Sequence, residues 1–398
     1  MKQSLLLTRR AVLGASCGTA ALFGSGLTSL ETVADSSVLP EGMVWKDPDT
    51  LTVHSAHTLE THNSALNCGV ITPTRRLFVR NNLSAPPASI VAEPDAWMLR
   101  VSGVKSPAQL SVGQLKKIGL AVLPMVLQCS GNGRKFFAHQ PSGTAWGVGG
   151  AGCVMWGGVP VSDVVESLGG VDPQAAYMTG TGGEPLPDVV DLKALQVERS
   201  VPLAALNCAL LAWELNGEPI PLAHGGPLRL VVPGYCAVNS IKYVQQLAFT
   251  PTQSGAAIQQ SRYRMAAIGQ KGHPDQPSAW QMAPKSWINS PSARDGVVSA
   301  GKVWVLGVAM GGMEAVEQVE ITLDDGRTWQ VAAFVGPDLG PYAWRGFAVS
   351  VELSPGVQRI ASRCRDINGV QQMEQRIENE GGYLNSSWRD HTVELQVS

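Results

Sequence analysis

Cysteines at metal-binding spacing are missing from this sequence. None of the seven cysteines forms a C-x-x-C, a C-x-x-C-H or a zinc ligand pattern, which argues against a covalently attached c-type haem and a structural zinc module. Charge is scarce too. Asp, Glu, Lys and Arg make up 16% of the 398 residues and the formal net charge is -2, which argues against a nucleic-acid partner, since that would normally show a basic face. Beyond the first thirty or so residues no apolar run is long enough to span a bilayer, and no membrane partner is expected. Glycine (43) and proline (26) are plentiful instead, the composition of a turn-rich globular protein poor in long amphipathic helix. The length exceeds one typical domain, so two are expected.

Residues 1–34 read as an export signal. Thr8-Arg9-Arg10 precede a weakly apolar stretch of Ala, Gly, Ser and Leu that ends near Leu30. This is the pattern of a bacterial twin-arginine (Tat) signal, which delivers folded proteins to the periplasm, often with a cofactor inserted. An ordinary signal peptide or anchor is the alternative. Cys17 follows Gly14-Ala15-Ser16, without the leucine that a lipoprotein signal wants, so lipidation is not expected. Cleavage would leave six widely spaced cysteines, at 68, 129, 153, 208, 236 and 364. All but Cys129 read as core residues, and whether any two pair is left open.

From 35 to 275 short apolar runs alternate with helical patterns. "AVLPMVLQC", "LRLVVPG" and "YVQQLAF" predict strands. "VSDVVESLG" predicts a helix, and so does "LAALNCALLAWELNG", with Asn216-Gly217 as its C-terminal cap. The mixture is α+β. Residues 272–296 read as a Pro/Ser-rich connector. From there to 398, "VWVLGVAM", "VEQVEITLDDGRTWQVAAF", "FAVSVELSPGVQRIASRCRD" and "HTVELQV" predict evenly spaced strands, with a hairpin turn at Asp325-Gly326. This half, 276–398, reads as an all-β sandwich. Trp213, Trp304, Trp329, Trp344 and Trp388 fit strand or helix cores, and Tyr235 fits packing.

One short stretch carries chemistry: "LQCSGNGR", Leu127 to Arg134. Cys129 stands where a strand ends and a glycine-rich turn begins, a place where backbone N–H groups can face an anion. Arg134 and Lys135 add positive potential. From spacing alone the thiol is a structural residue, a ligand for a soft metal, or a nucleophile. Elsewhere, Arg80 closes a strand-like run in "FVRNN", and His224, Arg229 and Lys242 fall within one window rich in Gly and Pro. Three such cations make a phosphate clamp, or an ordinary solvated face.

Taken together these segments resemble the sulfite oxidase family of molybdenum enzymes. "FVRNN" looks like its substrate-arginine motif and "LQCSGNGR" its molybdenum-cysteine motif. "LAWELNGEPIPLAHGGPLRLVVPG" looks like its cofactor-binding segment, and "SRYRM" stands at its active-site tyrosine. "LDDGRTW" and "GGYLNSSWRDHTVEL" match its C-terminal dimerisation domain. The resemblance implies a mixed α/β molybdopterin-binding domain at 35–275, then an immunoglobulin-like β-sandwich at 276–398.

It also implies roles. Cys129 would bind molybdenum. Asn81, Asn82, Ser130, Gly131, His224, Arg229 and Lys242 would surround the pterin cofactor. Arg80, Arg134, Trp146 and Tyr263 would form the substrate pocket. Guanidinium groups attract and orient sulfite, and a tyrosine hydroxyl donates to the developing sulfate. The implied enzyme is a periplasmic, haem-free sulfite dehydrogenase, dimeric, that passes electrons to an external c-type cytochrome.

Rival readings are a related molybdenum oxidoreductase for another sulfur oxyanion or sulfane sulfur, and a cofactor-free binding protein. Two departures stand out. Asn82 replaces a histidine common in the family, and Gly381 stands where eukaryotic members carry arginine. Arg262 or Arg264 is the candidate to restore the lost charge.

Overall fold

The computed structural model describes residues 38–67, 69–187 and 191–398; the expected export signal at 1–34 lies outside them, as does Cys68. Among the described residues no helix is long and apolar enough to cross a membrane.

The strand Ala151–Pro160 organises the part that holds Cys129. Its sequence, AGCVMWGGVP, is buried almost throughout because it lies between Ala121–Gln128 and Leu210–Leu215, paired antiparallel to both. A strand covered on both faces has no alternation to show. Its glycines allow the close approach: a Cβ on Gly158 would overlap the carbonyl of Leu211. A second sheet runs in the order Ala108–Ser111, Met98–Ser102, Val244–Thr250, Tyr177–Gly182, Glu198–Pro202, with one parallel pair between Met98–Ser102 and Val244–Thr250. The strands expected at "AVLPMVLQC", "LRLVVPG" and "YVQQLAF" are all present.

Helices are short. Val112–Ile118 opens with a capping box, in which Gln114 N–H donates to Ser111 Oγ (3.1 Å) and Ser111 N–H to Gln114 Oε1 (2.8 Å). It buries Val112 and Leu115. Val161–Ser167, the helix expected at "VSDVVESLG", turns Val161, Val164 and Val165 into the same core.

The helix expected over 203–217 is absent. Leu203–Asn207 is a 3-10 turn and Leu210–Leu215 is a strand. Asn216 and Gly217 have φ of 55° and 83° and form the tight turn of a hairpin, with Leu215 opposite Glu218. The apolar run misleads because this strand is covered on both faces, where neither helical nor alternating periodicity survives. Asn-Gly serves a hairpin turn as readily as a helix cap.

Two further sheets pack face to face over Ile288, Val305, Val319, Phe347, Ile360 and Leu395. One runs Lys285–Ser290, Gly301–Met310, Arg345–Leu353, Ala333–Val335; the other runs Val297–Val298, Val393–Val397, Gly356–Asp366, Val316–Thr322, Gln330–Val331. The expected sandwich is therefore present, and so is the hairpin around Asp325-Gly326, where Ile321 faces Gln330. The connector is shorter than expected. Lys285–Ser290, inside it, is a buried strand. Trp304 is a second correction: it sits on a strand but is 63% exposed, unlike buried Trp213, Trp344 and Trp388. The five described cysteines are free.

Candidate active site

The strand Ala121–Gln128 delivers Cys129 to the mouth of a tight turn. Cys129 N–H donates to Gly150 O (2.8 Å) and Asn132 N–H returns to Cys129 O (3.0 Å). Asn132 pins the turn further, donating to Gln128 Oε1 and accepting from Gly150 N–H, each at 3.0 Å. Both glycines of the motif are required. A methyl on Gly131 would overlap the Arg134 guanidinium, and Gly133 is left-handed at φ 96°.

The turn is also gripped from the sandwich. Lys285 Nζ donates to Asn132 O (3.3 Å) and Asn385 O (2.8 Å), Asn385 Nδ2 to Gly133 O (3.0 Å), and Leu384 N–H to Ser130 O (2.9 Å). Lys285 is buried, and burial pulls its pKa down to about 7.

Cys129 opens on a cavity of about 640 Å³, counting its open mouth. Arg80, Asn81, Asn82, His224, Arg229, Lys242 and Tyr263 share its walls. Of the residues expected in the site, these seven and Cys129 are brought together. Lys242 donates to Asn81 Oδ1 and Ala223 O, both 2.5 Å. Arg229, 2% exposed, donates to His224 O (2.9 Å) and Ser240 O (3.3 Å), while its Nε has no partner. Arg80 closes the strand Val79–Arg80 and bonds the Asn81 carbonyl.

Lys46, far off in sequence, reaches behind His224 and sits 3.0 Å from its Nε2, also donating to Leu77 O and Thr74 O. Burial is the main cause of shifted acidities here. It brings Lys46 down to about 7 and Arg229 to about 10, and, with neighbouring cations, holds Lys242 and His224 well below their ordinary values.

One carboxylate, Glu184, shares this wall, and burial pushes it up to about 7. The balance is an excess of buried positive charge with an unpaired guanidinium N–H. Such groups are costly unless an anion joins them, and a phosphate-bearing cofactor beside a soft thiolate fits this donor set.

Four expected residues stand off the wall. Arg134 is buried behind it, donating from Nε to Gly381 O (2.9 Å) and from Nη1 to Thr144 O (3.0 Å). Trp146 does not line the cavity. It is fully buried with its ring edge-on to Phe78 at 5.8 Å, and Phe78 is the ring that faces the space. Ser130 and Gly131 shape the turn, and the Ser130 hydroxyl is buried against the Cys236 thiol.

Neither arginine proposed to restore charge does so. Arg262 is exposed, and Arg264 is occupied by the carbonyls of Gln259 and Gln276. Tyr235 is packed in the core as expected. Sequence reading overlooked Lys46, Glu184, Arg199, Lys285 and Tyr383. Lys46, Glu184 and Arg199 stand outside every segment singled out in the sequence, while Tyr383 lies within "GGYLNSSWRDHTVEL" and Lys285 within the connector, neither marked as part of the site.

The family model for the oxidoreductase molybdopterin binding domain matches residues 85–258, and that for the Mo-co oxidoreductase dimerisation domain matches 276–397. The chain is 29% identical over 350 residues to mitochondrial sulfite oxidase of Homo sapiens, covering 82% of this chain and 62% of that protein. It is 29% identical over 348 residues to the NAD(P)H nitrate reductase of Hordeum vulgare, covering 80% of this chain and 39% of that one. The sulfane dehydrogenase SoxCD of Paracoccus pantotrophus has the same fold, with a TM-score of 0.71 at 23% identity, covering 86% and 87% of the two chains.

Proposed function

The chain belongs to the sulfite oxidase family, with a molybdenum–molybdopterin cofactor, and from that membership we propose that it oxidises sulfite to sulfate. The observation that carries the reading is the opening of Cys129 onto a cavity shared with Arg80, Tyr263, His224, Lys242 and Arg229, whose Nε has no partner. When bound, the cofactor supplies the two-electron acceptor for a conversion in which sulfite gains one oxygen originating from water and two protons leave.

The protein's own residues divide the remaining work. Cys129 offers the soft sulfur donor that suits the metal. Arg229 and Lys242 would hold the phosphate by charge-assisted hydrogen bonds, with the His224 ring beside them. Asn81 fixes Lys242, while Asn82 offers an amide at the rim. Arg80 on the wall and Arg134 behind it draw in a small divalent or monovalent oxyanion and limit its orientation. The Tyr263 hydroxyl donates to the developing sulfate and can accept a proton in return.

Electrons then leave for an external c-type cytochrome, in keeping with the missing C-x-x-C-H. The twin-arginine pattern supports a periplasmic setting, and the matched dimerisation domain supports a homodimer through an immunoglobulin-like sandwich. Gly381, where a cation is absent, favours as second reading a related enzyme for another sulfur oxyanion or sulfane sulfur.

Sulfite-dependent ferricyanide reduction by wild type and Cys129→Ser tests the proposal, with molybdenum content measured on both. Activity in the first and near-total loss in the second is expected. Equal rates refute it, and turnover of nitrate but not sulfite moves the substrate to the nitrate reductase side.

A further inference from the structure

Four side chains from distant parts of the chain touch one after another. The Arg199 guanidinium carbon lies 5.6 Å from the centre of the Tyr263 ring. The Tyr263 and Tyr383 rings stack at 5.1 Å with 25° between their planes. The Arg134 guanidinium carbon lies 5.3 Å from the centre of Tyr383. Cations are attracted to the negative faces of aromatic rings, so each contact in this run is favourable.

Both ends are anchored. Arg199, 1% exposed, donates to Asn239 Oδ1 (3.2 and 3.1 Å), Ile258 O (2.7 Å) and Ser278 Oγ (2.8 Å). Arg134 is held by the carbonyls of Gly381 and Thr144. Tyr383 is fixed at its backbone, where it both donates to and accepts from the Asn379 side-chain amide at 2.9 Å.

Room for the run has been cleared on purpose-built backbone. A methyl on Gly381 would overlap the Tyr383 ring, and one on Gly131 would overlap the Arg134 guanidinium. Tyr263 itself has φ 55°, a left-handed conformation that a residue with a bulky side chain keeps only when its surroundings impose it. Tyr383 is the ring packed directly against it.

We propose that Tyr383 is a positioning residue of the active site: placed between Tyr263 and Arg134, it holds hydroxyl and guanidinium as one unit and thereby sets the affinity for the anionic substrate. This rests on the reading that Tyr263 and Arg134 serve a sulfur oxyanion. Tyr383 fills the space beside Gly381 with a neutral ring, so the pocket gains aim rather than charge from this segment.

Three variants of the holoenzyme test it: Tyr383→Leu, which fills volume without a π face; Gly381→Ala, which pushes the ring aside; and Tyr383→Phe, which keeps it. Sulfite KM and kcat are measured, with sulfate affinity by calorimetry and molybdenum content. Tyr383→Leu and Gly381→Ala are expected to raise KM and weaken sulfate binding about tenfold, the scale of one lost cation–ring contact. Molybdenum content should hold, and Tyr383→Phe should restore the affinity.

Wild-type KM and sulfate affinity in Tyr383→Leu overturn the proposal, as does an equal loss in Tyr383→Phe. Should Tyr383→Leu not fold, Gly381→Ala is read by the same criteria. Wild type that neither oxidises sulfite nor binds sulfate defeats the functional reading and this proposal together, whereas an active wild type with an unaffected Tyr383→Leu defeats this proposal alone.

Discussion

The side-chain nitrogen of Lys46 stands 3.0 Å from Nε2 of His224, 178 positions away in sequence. When Lys46 is protonated its nitrogen can only donate, and in that state the Nε2 lone pair accepts from it and the ring proton belongs on Nδ1. Lys46→Met frees the ring to turn. Losing a hydrogen bond of this charged kind is worth about 1.5–3 kcal/mol, so cofactor affinity should fall by one to two orders of magnitude. Molybdenum and phosphorus per protein after gel filtration measure it; unchanged loading would count against a role for this pair.

Burial lowers Lys46 and Lys285 from 10.5 to about 7. Between those values the unfolded chain binds protons that the folded one has released, so the free energy of unfolding rises with pH across that window. Cofactor-free protein should therefore resist urea better at about pH 9 than at about pH 7. The cofactor-loaded form should show a smaller rise, because an anion held in the cavity in front of His224 favours the protonated form of Lys46 behind it. Urea titrations of both forms decide the matter, and stability falling with pH in the cofactor-free form contradicts it.

Asn385→Ala removes the side-chain donor to Gly133 O, leaving that carbonyl only the longer bond from Phe136 N–H (3.3 Å), and takes a donor from Asp390 as well. A drop of about 1–3 kcal/mol in unfolding free energy is expected, together with faster molybdenum loss on dialysis. Equal retention of metal by the variant and wild type would separate the sandwich's grip from the metal's.

Trp304→Ser tests the exposed face of the sandwich. At 63% exposure this ring has little packing to lose, so the change should stay within about 0.5 kcal/mol in the dilute protein. Sedimentation of the same variant reports whether the ring matters between chains.

What the sequence disclosed is what lies close together along it. Leu127 to Arg134 announces its own turn, because two glycines and a cysteine at a strand end have few other uses. The sandwich strands alternate because one face is wet. Leu203–Gly217 was misread because Leu210–Leu215 is covered on both sides and its periodicity is erased.

Trp146 sits behind Phe78 instead of on the cavity wall, and nothing in the residues near it tells first layer from second. Lys46, Arg199 and Lys285 lie beyond any local pattern, and Tyr383, though inside a quoted segment, shows no sign there of its stacking on Tyr263. Their meaning comes from chain crossings that only the fold supplies.

The clasp of Lys285, Leu384 and Asn385 on the cysteine turn bears on how such a protein can be cut or recombined. A fragment ending near residue 275 would keep the thiol yet lose the three side- and main-chain grips that shape its loop. Swapping the C-terminal module between relatives would likewise carry part of the reaction centre along with it, so the two modules are bound to be inherited as a matched pair.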